Sequence, residues 1–345
     1  MIDRGAEKRA AEKWNAVAKP LYGLGKLEES VIRIAGIQGS EDIALERRAI
    51  LVFCADNGIV AQGVTQTGSH VTALVADNIA EGKASVNRMC SRCGRRIDVF
   101  AVDMGIRDAV HSPHMIRRRI ADGTRDFSVE PAMSGMQAQK AVETGIGLVR
   151  EYREKGYTIL GTGEMGIGNT TTAGAIAAAL LGLSAEAAIG RGAGLSDAGL
   201  LRKRRVVEEA LARYRLRERS AQEVLACVGG FDIAGMAGAF IGGSRYGVPI
   251  VIDGMISAVA ALVAVRLCPD AADCMLASHI SREPCMEAVL QALSLSPVID
   301  GSLALGEGTG AALLFSMLDM AESVYRSGET FEKIQIAQYH DFGED

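Results

Sequence analysis

The chain has 345 residues, a formal net charge of −5 and few aromatic side chains among abundant alanine, glycine and short aliphatics. That length supports one large domain or two unequal ones around a sizeable core, and the acidic balance argues against a general nucleic-acid binder with a basic face. The composition suits close helix–sheet packing better than an all-β sandwich. Residues 7–39 place apolar side chains at helical spacing, with breaks near Pro20 and Gly23. Residues 49–55 then form a short apolar run that stops at Asp56-Asn57-Gly58, the pattern of a buried strand ending in a polar turn. The pattern recurs at 97–102 before Asp103, at 158–160 before Gly161-Thr162-Gly163-Glu164, and at 249–252 before Asp253. Helical stretches at 173–181 and 202–214 lie between the last of these. The longest apolar stretch, 248–267, contains Asp253 and Arg266 and reads as strand then helix, not as a membrane span.

Strand, polar turn and helix in repetition predict an α/β fold: a mostly parallel, Rossmann-like sheet with helices on both faces. Ligands bind beyond the carboxyl ends of such strands, where Asp56, Asp103, Glu164 and Asp253 fall. Residues 41–310 are expected to form a large catalytic domain, and the terminal segments 1–40 and 311–345 a smaller helical subdomain. The charged start lacks the apolar stretch of a signal peptide, and the seven cysteines show no disulfide framework. Cys90 and Cys93 have metal-like spacing, but no second Cys/His pair stands at a zinc-site distance. The expectation is a cytoplasmic protein with reduced thiols, no bound metal or cofactor, and no membrane or nucleic-acid partner.

Leu305-Gly306-Glu307-Gly308-Thr309-Gly310 sets one carboxylate between glycines just before an apolar helical run. Glycines permit positive φ and close approach of a ligand. The segment reads as a general base in a pocket, or as a plain loop. Gly163 to Thr170 imitates a P-loop in spacing but has Asn169 where the lysine would stand, which argues against an ATPase or GTPase. A helix start of this kind binds phosphate through exposed N–H groups and its dipole. A mononucleotide phosphate loop and a simple capped turn both fit. Lys203, in the basic cluster Arg202-Lys203-Arg204-Arg205, either reaches an anion held by the glycine loops or stands on a solvated helix face. Arg117-Arg118-Arg119 reads as a solvated face. In the polar turn 277–284, Ser278 and Ser281 are possible donors to phosphate or carboxylate oxygens, and His279 fits a structural role best. Glu164 and Glu307 are paired candidates for proton handling. Were they to approach each other, repulsion would raise the pKa of one.

Taken together these motifs resemble the nicotinate-nucleotide–dimethylbenzimidazole phosphoribosyltransferases nearly end to end. The resemblance rests on Gly23-Leu24-Gly25-Lys26-Leu27-Glu28, Cys54-Ala55-Asp56-Asn57-Gly58, Gly163-Glu164-Met165-Gly166 with Asn169-Thr170-Thr171, Gly229-Gly230-Phe231-Asp232, Asp253-Gly254, Ser278-His279 and Leu305-Gly306-Glu307-Gly308. It implies transfer of the phosphoribosyl group from nicotinate mononucleotide to a benzimidazole-type base, releasing nicotinate, by a homodimer. It implies Glu307 as general base, with Glu164 and Leu305 in the base pocket. Gly166, Asn169, Thr170, Lys203 and Ser281 would hold the nucleotide. The family's pocket often carries Ser and Gln where this chain has Thr67 and Val75, a less polar lining that opens the choice of acceptor to other benzimidazoles, purines or phenols. A binding module without turnover is the competing reading, and the intact Glu307 and Glu164 argue against it.

Overall fold

Every residue of β1 (Arg48–Ala55) is buried, and its alternation sets the architecture. Ala49, Leu51, Phe53 and Ala55 point into one hydrophobic core while Ile50, Val52 and Cys54 point into another. A strand with two apolar faces needs cover on both sides. Helices Gly135–Glu154, Asn169–Leu181, Phe231–Tyr246 and Met255–Leu267 supply one layer, and helices Arg4–Ala16, Lys26–Gln38 and Thr309–Ser327 contribute to the other. The computed structural model describes residues 2–339. Met1 and residues 340–345, the extreme ends of the smaller subdomain expected from the sequence, lie outside the described residues.

The main sheet contains β1, β2 (Ile97–Gly105), β3 (Ile116–Arg117), β4 (Ile159–Met165), β5 (Ile250–Ile252) and β6 (Met275–Ala277). They are all parallel, in the order β3-β2-β1-β4-β5-β6. Strand order therefore runs outward in opposite directions from the β1/β4 pair. Such a switch point offers a ligand a crevice at the carboxyl end of β4.

Two elements depart from the sequence reading. β4 does not stop at the glycines but runs on through Met165, placing Glu164 on the strand in register with Phe53. A β-carbon at Gly161 would lie 2.7 Å from Ala311 Cβ, and one at Gly163 would lie 2.6 Å from the Glu307 carbonyl oxygen. The glycines are thus not a turn; they let the last helix settle onto the strand. The polar stretch after β6 is likewise not only a turn: β7 (His279–Ser281) pairs in parallel with β8 (Ile299–Leu303) as a separate two-stranded sheet beside the crevice.

Segments near the two ends of the described residues come together. Trp14 and Tyr325 pack with ring centroids 5.0 Å apart and their planes tilted by 52°, and Val17 bridges to Thr330. At the amino end of β1, buried Arg48 donates to Asp319 Oδ1 at 2.6 Å and to the carbonyls of Leu45 and Phe315 at 2.9 and 3.1 Å. Among the described residues no helix is long and apolar enough to cross a membrane.

Candidate active site

At the carboxyl ends of β4 and β5 the chain encloses a cavity of about 240 Å³. Its wall includes Glu164, Gly166, Asn169, Thr170, Asp253, Ser281, Leu305 and Glu307. A second recess of about 190 Å³ shares Gly166, Asn169 and Thr170 with the first and adds Thr67, Arg191 and Lys203. One chamber is thus rich in carboxylates and the other carries cations, with the start of the Asn169–Leu181 helix between them.

Glu307 stands in a left-handed conformation (φ +61) between Gly306 (φ +86) and Gly308 (φ +91). Its Oε2 accepts the Val86 N–H at 3.1 Å, at the start of the Ser85–Cys90 helix, so a helix amino end orients the carboxylate. Glu164 packs against Gly306 and accepts a hydrogen bond from the Asn169 side-chain amide. The same amide reaches Asp232 Oδ2 at 3.2 Å. Burial pushes the Glu164 carboxyl up to about 8; the Asn169 amide resists, and the charges of Asp253 and Asp232 add to the rise. The conditional expectation of repulsion from Glu307 is therefore replaced by a different cause. What Glu307 offers Glu164 is its backbone N–H, which works in the opposite direction. Glu164 is mostly protonated at neutral pH, a carboxyl able to donate.

Asp232 and Asp253 are both buried and both pushed up to about 6 by desolvation, against the hydrogen bonds they accept. Buried His279, which also lines the first chamber, keeps Nδ1 3.1 Å from Ser278 Oγ, and burial lowers its pKa.

In the second chamber Lys203 is only 1% exposed, although its neighbours Arg202 and Arg205 face solvent. Its Nζ donates to Thr170 Oγ1 at 2.8 Å and to the Gly190 carbonyl at 3.1 Å. Burial lowers its pKa to about 8 against the pull of Glu283. A buried ammonium with two of its three N–H donors engaged, beside a helix amino end, suits an anion. The helix takes Gly168 (φ +96) as its cap and offers no capping side chain there.

Of the residues singled out from the sequence, the structure brings Glu164, Gly166, Asn169, Thr170, Ser281, Leu305 and Glu307 to one cavity. Thr67 stands in the cationic recess instead, on the Lys203 side. Val75 lines neither chamber; it sits on the His70–Ala80 helix, partly buried against the core. The apolar wall of the first chamber comes from Met165, Met255, Ile256 and Leu305. The site selection from sequence also omitted Arg191, Glu283 and Asp232. Arg191 and Glu283 lie in loops whose local pattern gives no sign of convergence. Asp232, in the first turn of a helix, reads locally as a partner for the dipole.

Comparison with known proteins identifies the family. A family model described as "Phosphoribosyltransferase" matches residues 1–336. The nicotinate-nucleotide–dimethylbenzimidazole phosphoribosyltransferase of Acetivibrio thermocellus is 42% identical over 325 residues, covering 94% of this chain and 92% of that protein. Its counterpart in a Roseiflexus species is 43% identical over 337 residues, covering 97% of this chain and 95% of that protein. The crystal structure of CobT from Thermus thermophilus superposes with a TM-score of 0.91 at 37% identity, covering 97% of this chain and all of that one. With the family model and these relatives spanning almost its whole length, the chain belongs to the nicotinate-nucleotide–dimethylbenzimidazole phosphoribosyltransferase family.

Proposed function

We propose that this protein transfers the phosphoribosyl group of nicotinate mononucleotide to dimethylbenzimidazole or a similar base. The products are α-ribazole 5'-phosphate and nicotinate, in assembly of the cobalamin nucleotide loop. One observation carries the reading: a carboxylate-lined chamber and a cationic recess share the start of the Asn169–Leu181 helix as a common wall.

In this reading the phosphate lies against Lys203, Thr170 and the helix amino end, with Gly166, Asn169 and Ser281 along the rest of the nucleotide. Glu307 takes the N–H proton of the acceptor base while its other ring nitrogen attacks the anomeric carbon. The glycosidic bond breaks and its electron pair returns to the pyridine nitrogen. That nitrogen leaves uncharged, so no acid is needed at the leaving group. Holding both reactants in line supplies much of the acceleration, and a general base adds roughly 10²–10⁴-fold. The protonated Glu164 spares a chamber already lined by Asp253 and Glu283 a further negative charge. The preference for an acceptor follows from Met165, Met255, Ile256 and Leu305, which favour an apolar aromatic ring, more than from Val75. The protein works as a cytoplasmic homodimer without a resident cofactor.

The test is release of nicotinate on mixing the mononucleotide with dimethylbenzimidazole, followed by chromatography of the ribazole product. Glu307→Gln should cut kcat by about 10²–10⁴-fold and leave mononucleotide binding intact. No nicotinate from the wild-type protein, or full turnover in the variant, would overturn the reading.

A further inference from the structure

Glu307 and its two neighbouring glycines form three consecutive left-handed residues. A left-handed glutamate carries a steric cost of roughly 1–2 kcal/mol, and such a residue persists only where its surroundings over-determine it. The turn is followed directly by the Thr309–Ser327 helix, whose cap position is Gly308, a residue with no side chain to cap with. The missing cap arrives from another part of the fold. Asp253, just beyond β5 and 1% exposed, accepts the Gly308 N–H on Oδ2 at 3.0 Å and the Gly310 N–H on Oδ1 at 2.7 Å.

Asp253 is itself fixed on both sides. Its N–H donates to Ser257 Oγ at 3.2 Å, and its carbonyl accepts from Ser278 Oγ at 2.9 Å. The Gly308 amide belongs to the peptide unit joined to Glu307, so the carboxylate grips the turn at the residue that must be aimed. The Glu307 side chain is held separately by Val86, and the two contacts leave little freedom in where its oxygens stand.

We propose that Asp253 is the positioning residue for Glu307, holding the Gly306–Gly308 turn from beneath and so setting the reach of the carboxylate toward the acceptor base. The proposal rests on the reading of Glu307 as general base. Asparagine at 253 keeps the size but presents one acceptor and one donor to two N–H groups, so one grip becomes a clash of donors.

The experiment uses the full chain. Nicotinate release by the wild-type protein first establishes the reaction. Asp253→Asn should then lower kcat by about 100-fold, since small displacements of a reacting group cost that much. The KM for nicotinate mononucleotide should stay within about threefold, because the cationic recess is built from other residues. In the Glu307→Gln background the same change should cost less than about twofold, the signature of two residues acting as a unit. Hydrogen exchange should rise about tenfold at 305–310 and stay at wild-type protection through the rest of the last helix. Unchanged kcat, additive losses in the double variant, or loss of protection along the whole helix would overturn the proposal. Should Asp253→Asn not fold, Ser257→Ala unhooks the same residue more gently. It should lower kcat about fivefold at constant KM, and an unchanged kcat there overturns the proposal equally. Where the wild-type protein releases no nicotinate, the functional reading fails, and the exchange pattern alone decides whether Asp253 holds the turn.

Discussion

Gly163 and Glu307 meet backbone to backbone: a β-carbon at Gly163 would lie 2.6 Å from the Glu307 carbonyl oxygen and 2.8 Å from the Gly308 nitrogen. The strand that carries Glu164 thereby acts as the floor under the turn that carries Glu307. Gly163→Ala should push this turn into the cavity without removing any titratable group. The expected result is a kcat lower by about 100-fold, with the KM for the mononucleotide little changed. Steady-state kinetics with nicotinate detection checks it, alongside circular dichroism to verify that the sheet is intact.

Of the perturbed groups in the site, Glu164 and Lys203 predict separable pH effects on the alkaline side. Glu164 loses its proton as pH rises through about 8, adding a negative charge to the base chamber, so kcat should fall there. Lys203 loses its charge in the same range, so the KM for the phosphate-bearing substrate should rise. Glu164→Gln should remove the kcat limb and leave the KM limb. The sign for stability follows from the raised carboxyl pKa: the native state keeps a proton that the unfolded chain releases above 4.5. That contribution is complete at low pH and is lost as pH climbs through about 8. Thermal melts should show Glu164→Gln more stable than the wild-type protein at high pH, with the gap closing toward acid. A constant gap would assign the rise to something other than Glu164.

In its proposed role as the anion partner, Lys203 is held at a cost in stability. Its ammonium is buried with two neutral partners, and desolvation opposes its charge. Lys203→Met fills similar volume without that penalty, so it should leave the melting temperature unchanged or raise it. The lost charge-assisted contact of about 1.5–3 kcal/mol predicts a rise of roughly 10- to 150-fold in the KM for the mononucleotide. A fall in melting temperature with normal KM would make the lysine structural.

Much of this was written locally in the chain. The short apolar runs before Asp56, Asp103 and Asp253 announce buried parallel strands, because a strand covered on both faces has no polar alternation to hide it. Glu307 between glycines announces a special backbone, and it has one. What local pattern could not give is contact between distant segments. Gly161 and Gly163 read as a turn because the reason for their smallness, the last helix, lies far along the chain. Lys203 sits in a cluster of basic residues that looks uniformly solvated, and only the packing of its helix turns that one side chain inward. Thr67 and Val75 illustrate the opposite case. Their match to a family pattern places them in a base pocket, whereas the path of the chain sets one beside the cationic recess and the other against the core.

The far end of the sheet supplies a control in which stability and activity should separate. Arg48 opens β1 and is buried with Asp319 at 2.6 Å, while Arg95 lies 3.5 Å from the same carboxylate. Arg48→Met removes the guanidinium and also takes a donor from the Leu45 carbonyl and from the Phe315 carbonyl, the latter keeping its place in the helix ladder. A broken buried pair typically costs 3–5 kcal/mol; because Asp319 keeps some solvent and the Arg95 contact, about 3 kcal/mol is expected here. Denaturant unfolding measures it. Asp319→Leu in the same chain should recover part of the loss, because the uncompensated charge goes with it. The kinetic constants at a temperature where both variants are folded should match the wild-type protein, since the reacting groups stand at the opposite ends of these strands. A drop in kcat with Arg48→Met would show that the two ends of the sheet are coupled, and the division between a stabilising end and a catalytic end would fail.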